Sequence, residues 1–239
     1  MRLSLVIPCY NESGNIPLLV ARLRQTLAER DDVEVLLVDN GSTDGSAAVF
    51  QRELAGDTLL RLVWVPVNQG YGHGILKGLE AATGDVLAWT HADMQTDPKD
   101  VLTAFDLYKS HGGGGVFVKG KRQNRRLLET FFTFGMQVIA SAALGVVLDD
   151  VNAQPKLFDR RFYVDHVAGQ APQDFSLDLY VLYRARQSGM RIIEVPVIFA
   201  DRLHGEAKGG GSWKTRIKLI RRTFAYIFQL RDSLRRGAP

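Results

Sequence analysis

Short apolar runs alternate with longer segments of helical periodicity along the first half of the chain. Runs of about four to eight apolar residues favour buried strands, and apolar residues every three to four positions favour amphipathic helices. The pattern predicts strands at Leu3–Ile7, Val33–Val38, Leu60–Val65, Val86–Trp89 and Val116–Val118. It predicts intervening helices at Ile16–Glu29, Ser46–Leu54 and Gly72–Ala82.

This alternation predicts an α/β protein with a mostly parallel, Rossmann-like central sheet and helices on both faces. Ligands in such folds bind beyond the carboxyl ends of the strands. The polar, turn-rich segments fall at those ends and are therefore candidates for a binding site. They are Pro8–Asn15, Asp39–Gly45, Val67–Gly74 and His91–Pro98.

Composition narrows the class of protein. A chain of 239 residues with 46% hydrophobic residues can bury a large core, which argues against global disorder. Cys9 is the single cysteine, so an intramolecular disulfide is excluded. Met1 and Arg2 run directly into the first apolar strand without a cleavage site, and together these features predict a cytoplasmic protein.

The first three turns carry groups suited to a nucleotide. The Tyr10 ring could cover a base, the Glu12 carboxylate could accept hydrogen bonds from ribose hydroxyls, and Asp39 could accept from the N–H edge of a base. Glycines between Asn68 and Gly74 would let the backbone approach a ligand at the start of a helix. Each turn alone is equally compatible with an ordinary loop.

The fourth turn, which includes His91-Ala92-Asp93-Met94-Gln95, makes the pattern specific. With the earlier turns it resembles family 2 glycosyltransferases of the GT-A fold, especially polyprenyl-phosphate and dolichol-phosphate sugar (mannose) synthases. The resemblance runs from about Leu3 to Lys208. Its later matches are Gly120–Arg122, Asn152–Phe158, Ile193–Pro196 and Arg202–Lys208.

The resemblance implies roles for particular residues. The nucleotide would be held by Pro8, Tyr10, Asn11, Glu12, Asp39, Asn68 and Gly70. A divalent cation, Mn²⁺ or Mg²⁺, would be held by Asp93 with Gln95 and His91 as further ligands. The catalytic set would be Asp93, Arg122, Arg202 and Lys208, whose positive members would neutralise the charge that develops on the leaving diphosphate.

His91 stands where this family usually has the first Asp of an Asp-x-Asp motif. Three interpretations follow: His91 binds the metal, it contacts the donor sugar or phosphate, or the protein binds a nucleotide sugar without turnover. Imidazole suits Mn²⁺ better than Mg²⁺, which prefers oxygen ligands. Asp174 and Asp178 are equally compatible with surface carboxylates and with a general base, which only a hydroxyl acceptor requires.

The positive net charge is concentrated near the C-terminus. Residues 214–236 contain eight Lys or Arg and one Asp, so they contribute +7 to a chain whose net charge is +4. An apolar stripe shares this segment and consists of Ile217, Ile220, Phe224, Ile227 and Phe228. Residues 213–239 are therefore predicted to form a basic amphipathic helix at an anionic membrane surface, following a glycosyltransferase domain at 1–212. The alternative is a helix docked on the core.

Two segments between these parts break the alternating pattern. Leu127–Leu148 is predicted to be an interfacial or packed helix, because its polar residues and glycines argue against a membrane span. Gly205–Ser212 is predicted to be a mobile loop.

The leading hypothesis is an inverting transferase that moves a sugar from a nucleotide-diphosphate sugar to a polyprenyl phosphate, while peripherally attached to the membrane. Two alternatives are a soluble family 2 transferase acting on a saccharide hydroxyl and a non-catalytic nucleotide-sugar-binding protein. No nucleic-acid partner is expected, because the tail's aromatic residues lie within its apolar stripe instead of along a basic groove.

Overall fold

The structure is a computed structural model that describes residues 1–123, 139, 141–200 and 213–235. Only the backbone is described at 213–220 and 233–235. Arg202, Lys208, the Gly205–Ser212 loop and most of Leu127–Leu148 lie outside the described residues, so the predictions made for them stay predictions.

The described strands form one seven-stranded sheet in the order β3-β2-β1-β4-β6-β5-β7. Strand β6 is antiparallel to its neighbours β4 and β5, and the other adjacent pairs are parallel. The strands are β1 Leu3–Cys9, β2 Val33–Asn40, β3 Leu60–Val65, β4 Val86–Trp89, β5 Val116–Arg122, β6 Lys156–Asp159 and β7 Arg191–Val197. The mostly parallel α/β sheet is thus confirmed.

Seven helices with defined ends accompany the sheet within the described ranges, and residues 139 and 141–144 are helical as well. The seven are α1 Ile16–Leu27, α2 Ser46–Glu53, α3 Tyr71–Ala81, α4 Lys99–Ser110, α5 Arg160–His166, α6 Leu177–Gln187 and α7 Trp213–Arg235. The three helices predicted from periodicity are confirmed, with ends that move by one or two residues.

Two apolar clusters lie on the two faces of the sheet. In β1, Leu5 and Ile7 pack into the cluster that contains α1 and α4, whereas Val6 packs into the cluster that contains α3 and α6. Successive side chains of a strand point to opposite faces, and both faces are covered. This explains why the central strands are nearly continuous apolar runs instead of alternating ones.

Three features of the sheet were missed by the sequence pattern. Strand β5 continues past Val118 to Arg122, and β6 and β7 were not predicted as strands. The reason is charge: β5 and β6 each carry a fully buried lysine, Lys119 and Lys156, which interrupts the apolar run. Both lysines are compensated by carboxylates from other elements.

The C-terminal helix α7 is confirmed as a helix, and its second half packs on the protein. Ile227 is fully buried and Leu230 nearly so in the cluster with α3 and α6, while Phe228 remains 42% exposed. Part of the predicted membrane-facing stripe therefore belongs to the core. Among the helices that the structure describes, none has the length and hydrophobicity needed to cross a bilayer.

Candidate functional site

An open cleft of about 350 Å³ lies at the carboxyl ends of the central strands, where the sheet topology predicted a ligand site. All four predicted turns contribute to it, together with the loop before α6. Its lining residues are Pro8, Cys9, Tyr10, Glu12, Asn40, Asn68, Gly70, Tyr71, His91, Ala92, Asp93 and Phe175. The fold therefore brings together seven of the predicted site residues: Pro8, Tyr10, Glu12, Asn68, Gly70, His91 and Asp93.

Asn11 fastens the first turn to the second and is not among the lining residues. It adopts a positive φ of 54°, and its backbone N–H donates to Ser42 Oγ over 3.1 Å. Its side-chain oxygen accepts from the backbone N–H of Thr43 at 2.7 Å. Asparagine tolerates this left-handed conformation better than most residues. By these hydrogen bonds Asn11 fixes the turn that carries the lining residues Tyr10 and Glu12.

Asp39 is fully buried one residue before the end of β2 and is not among the lining residues, whereas its neighbour Asn40 is. One carboxylate oxygen accepts from the backbone N–H of Ser42 at 3.0 Å. The other, Oδ2, is buried without a hydrogen-bond partner among the described residues. A buried acceptor without a partner costs about 1–3 kcal/mol, so a ligand that donates an N–H would restore stability here.

The glycines of the third turn make room for the chain itself. A Cβ at Gly70 would lie 2.5 Å from the carbonyl oxygen of Gln173, and one at Gly72 would lie 2.7 Å from that of Asp174. The backbone N–H of His73 donates to Gln173 O at 2.8 Å. We expected these glycines to let the backbone approach a ligand. At Gly70 and Gly72 the nearest neighbour is instead the loop that precedes α6. That loop brings Phe175 into the cleft.

The fourth turn holds the candidate metal ligands. Asp93 is 5% exposed, and its Oδ1 accepts from the backbone N–H of Gln95 at 3.2 Å. Met94 between them has a φ of 58°, so the turn is tight. The Gln95 side chain donates from Nε2 to Ala200 O at 3.1 Å and is not among the lining residues.

The side chains of this turn fit a divalent cation that a bound nucleotide also helps to hold. One carboxylate, one imidazole and one amide oxygen are compatible with Mn²⁺. Within the described ranges no cluster of three His, Cys, Asp or Glu residues is placed to hold a metal ion. The diphosphate of a bound nucleotide would have to supply further oxygen ligands.

A buried polar chain behind the cleft was not recognised from the sequence. The Tyr71 hydroxyl lies 3.5 Å from His91 Nε2 and accepts from Gln154 Nε2 at 3.3 Å. Gln154 also donates to Asp178 at 2.9 Å, and Lys156 Nζ lies 3.3 Å from the same carboxylate. Burial, together with the negative charge of Asp178, raises the pKa of Tyr71 well above its usual value. Tyr71 and Gln154 are 83 positions apart, so no local sequence pattern relates them.

Burial also lowers the pKa of Lys156, against the opposing effect of the nearby Asp178 carboxylate. Asp178 is 3% exposed and engaged by Lys156 and Gln154. Asp174 lies 2.6 Å from Arg222 of α7. Neither carboxylate lines the cleft, so the structure gives no geometric support to either as a general base.

Arg122 lies at the end of β5 and is not among the lining residues. Its backbone N–H and its Nε each donate to the Asp150 carboxylate at 2.8 Å, and its guanidinium is 5.4 Å from the centre of the Phe199 ring. Its role toward a phosphate stays a prediction. Cys9 is buried at the end of β1 and is among the residues that line the cleft.

Comparison with known proteins gives a family match over residues 4–137, to the model described as glycosyl transferase family 2. Two curated relatives are undecaprenyl-phosphate 4-deoxy-4-formamido-L-arabinose transferases, from Aeromonas hydrophila and Pseudomonas fluorescens. The first is 31% identical over 87% of this chain and 62% of its own length. The second is 31% identical over 86% of this chain and 59% of its own length. The chain thus spans about three fifths of these relatives.

Solved structures share the fold at low identity. A mannosyltransferase from Pyrobaculum calidifontis in complex with GDP-Man and Mn²⁺ has a TM-score of 0.67 and 23% identity, over 95% of this chain and 64% of that one. Glucosyl-3-phosphoglycerate synthase from Mycobacterium tuberculosis, in complex with Mn²⁺, UDP and glucosyl-3-phosphoglycerate, has a TM-score of 0.70 and 19% identity, over 100% and 81%. This likeness shows the GT-A fold.

Proposed function

This chain belongs to glycosyl transferase family 2, and on that premise we propose that it is an inverting transferase acting on a polyprenyl phosphate. Its donor would be a nucleotide-diphosphate sugar. The observation that carries the proposal is the cleft, in which Tyr10 and Glu12 of the first turn lie together with His91 and Asp93 of the fourth. A nucleoside and its diphosphate need these two kinds of group side by side.

The nucleoside half of the proposal depends on Asp39, Tyr10 and Glu12. The unpaired Oδ2 of Asp39 is an acceptor that a base N–H would satisfy. The Tyr10 ring offers a face for stacking, and Glu12 can accept from ribose hydroxyls. Asn15 donates to Glu12 Oε2 at 2.6 Å, which fixes the orientation of that carboxylate.

The diphosphate half depends on Asp93 and His91, with Gln95 as a further candidate. We assign them to Mn²⁺ or Mg²⁺, and the two solved structures described above are complexes with Mn²⁺. Such an ion supplies charge stabilisation to the leaving diphosphate. Asp93 is nearly buried at the cleft, and the hydrogen bond from the Gln95 backbone N–H holds its carboxylate at the position where we assign the cation.

The acceptor is proposed to be a lipid phosphate, as in the names of the curated relatives. A phosphate oxygen would form the new bond to the anomeric carbon, and the bond to the donor diphosphate would break, with its electron pair leaving on the nucleotide. Attack from the opposite face inverts the anomeric centre. A phosphate monoester is already ionised at pH 7, so no protein base is needed. The engagement of Asp174 and Asp178 by Arg222 and Lys156 agrees with this.

Helix α7 is proposed to bring the protein to an anionic membrane surface. Arg221 is exposed on it, Arg222 is exposed but paired with Asp174, and Phe228 is 42% exposed, while Ile227 anchors the helix to the core. Basic residues near an anionic surface contribute about 1 kcal/mol each. A helix that packs on the protein through one face and presents basic side chains on the other could hold the cleft close to a lipid headgroup.

The test is a panel of UDP- and GDP-sugars assayed with Mn²⁺ and either undecaprenyl phosphate or water-soluble saccharides. We expect transfer of sugar to the lipid phosphate with inversion at the anomeric carbon, and none to saccharides. Transfer only to saccharides would establish the soluble-transferase alternative. Saturable donor binding without any turnover would establish the non-catalytic alternative.

A further inference from the structure

Tyr71 joins the cleft to a charged group deep in the fold. Its hydroxyl oxygen lies 3.5 Å from Nε2 of His91 on the cleft side and accepts from Gln154 Nε2 at 3.3 Å on the core side. Its ring stacks on Phe175 with centroids 5.1 Å apart and planes inclined by 7°. The phenol is therefore fixed in position by contacts that do not involve His91.

The orientation of Gln154 is set by the charges behind it. Gln154 and Lys156 are fully buried, and both direct nitrogen atoms at the Oδ1 of Asp178. A carboxylate paired with a lysine ammonium can only accept, so the Gln154 amide must present its NH₂ group to Asp178. The same NH₂ group then has its second hydrogen for Tyr71. The hydrogen-bond network that links Lys156, through Asp178 and Gln154, to Tyr71 therefore has one consistent set of donors and acceptors.

An imidazole needs such support more than a carboxylate does. A carboxylate has two equivalent oxygens and can approach a cation in several ways, whereas a histidine must turn one ring nitrogen toward it. Metal-binding histidines almost always make a hydrogen bond through their other ring nitrogen, which fixes the tautomer and the ring orientation. In this chain the nitrogen next to Tyr71 is Nε2, so Nδ1 is the one assigned to the cation.

We propose that Tyr71, held by Gln154 and Asp178, is a positioning residue that orients His91 as a ligand of a divalent cation. This inference rests on the proposed function, in which His91 takes part in metal binding. In the metal-bound state His91 donates from Nε2–H to the Tyr71 oxygen, and the 3.5 Å separation shortens. Tyr71 and the buried charges behind it thus supply the fixed orientation that an imidazole needs at a position where the family usually has a carboxylate.

The first test uses Tyr71→Phe, which removes the hydroxyl and keeps the ring stacked on Phe175. Nitrogen-15 NMR of histidine-labelled protein reports the tautomer and hydrogen bonding of each ring, and His91→Asn identifies the His91 signals. We expect the His91 Nε2 signal to move in Tyr71→Phe, because its hydrogen-bond partner is lost. Unchanged His91 signals would overturn the proposal, whatever the activity of the variant.

The second test measures binding of Mn²⁺ alone by the loss of its free EPR signal. We expect Tyr71→Phe to bind Mn²⁺ about 10-fold more weakly, the lower end of the loss seen when such supporting groups are removed. Tyr180→Phe is the matched control, since it removes another tyrosine hydroxyl, which donates to His166 O at 2.9 Å away from the cleft. Equal Mn²⁺ affinity in Tyr71→Phe and Tyr180→Phe, with thermal unfolding unchanged, would also overturn the proposal.

A further observation tests the metal assignment on which this inference rests. Mn²⁺ is paramagnetic and broadens the NMR signals of groups close to it, so the His91 signals of the wild-type protein should disappear at low Mn²⁺ concentrations. If they persist while the other results hold, His91 is positioned by Tyr71 but does not bind the metal. That outcome contradicts the metal assignment of the proposed function and overturns the positioning role toward a cation.

Discussion

Lys119 and Glu194 lie side by side on the parallel strands β5 and β7, with Lys119 Nζ 3.1 Å from the Glu194 carboxylate. Lys119 is fully buried, and the Asp149 carboxylate also lies 3.3 Å from its Nζ. Burial tends to raise the pKa of Glu194, but its hydrogen bonds with Lys121, Asp149 and Lys119 outweigh it and lower the pKa to about 2. The glutamate of the Ile193–Pro196 motif therefore has a structural function.

Glu194→Gln should reduce the free energy of unfolding at pH 7 by about 2 kcal/mol. Removing one partner of a buried pair costs about 3–5 kcal/mol, and partial exposure of Glu194 and the remaining Asp149 reduce this. Urea denaturation measures it. Glu80→Gln, which removes the exposed Lys77–Glu80 pair, is the control and should cost less than about 0.5 kcal/mol.

The contribution of Glu194 should depend on pH in a defined direction. Its folded pKa is about 2 and its reference value is 4.5, so between these values the unfolded chain binds more protons. Stability from Glu194 is therefore complete above about pH 4.5 and is lost as the pH falls toward 2. The difference between wild type and Glu194→Gln should shrink over that range. A constant difference would contradict the ion-pair assignment.

Asp93→Asn should abolish sugar transfer, with at least a roughly 100-fold lower rate, while the melting temperature stays within a few degrees. An amide retains one oxygen but loses the charge that balances a divalent cation. Transfer assays and thermal unfolding measure the two effects. Asp106→Asn, the same change on the exposed surface of α4, is the control. Wild-type rates in Asp93→Asn would refute the role of Asp93 at the metal.

His91→Asp should raise activity with Mg²⁺ relative to Mn²⁺, because a carboxylate oxygen suits Mg²⁺ and imidazole suits Mn²⁺ better. The ratio of the rates with the two ions is the measurement, since it is independent of how much protein is active. Loss of activity with both ions would show that His91 contacts the donor instead.

Gly120→Ala should lower stability by about 2–3 kcal/mol, comparable to overpacking in a core. A Cβ there would lie 2.1 Å from the backbone oxygen of Gln154, which cannot move without disturbing the contact to Tyr71. Gly114→Ala, where nothing lies within 4 Å, is the control and should be nearly neutral. Equal melting temperatures of the two variants would contradict this close approach.

Arg221→Glu should weaken binding to anionic vesicles roughly 30-fold at low salt, because reversing one charge removes about 2 kcal/mol. Co-sedimentation at low and high salt measures it, and salt should abolish the difference. Arg161→Glu makes the same change on the exposed face of α5 and should have little effect. Point variants are preferable to removal of residues 214–239, which would also strip Ile227 and Leu230 from the core.

The sequence by itself determined five strands of the sheet, the helices α1 to α3 and the edge at which the site lies. Apolar periodicity is a local property, and parallel strands place their polar carboxyl ends together whatever the loops contain. That is why the hydrophobic pattern placed the turns that carry Tyr10, Glu12, His91 and Asp93 at one edge of the sheet, where the cleft lies. The resemblance to a family then supplied their chemistry.

Only the tertiary structure decided how the buried charges are paired. Gln154 and Tyr71 are 83 positions apart, and Lys119 and Glu194 are 75 apart, so no local pattern relates them. The docking of α7 through Ile227 was likewise undecided, because an amphipathic stripe fits a membrane and a protein core equally well. A buried charge is stable only beside a specific partner, and which partner arrives is set by strand order and helix packing.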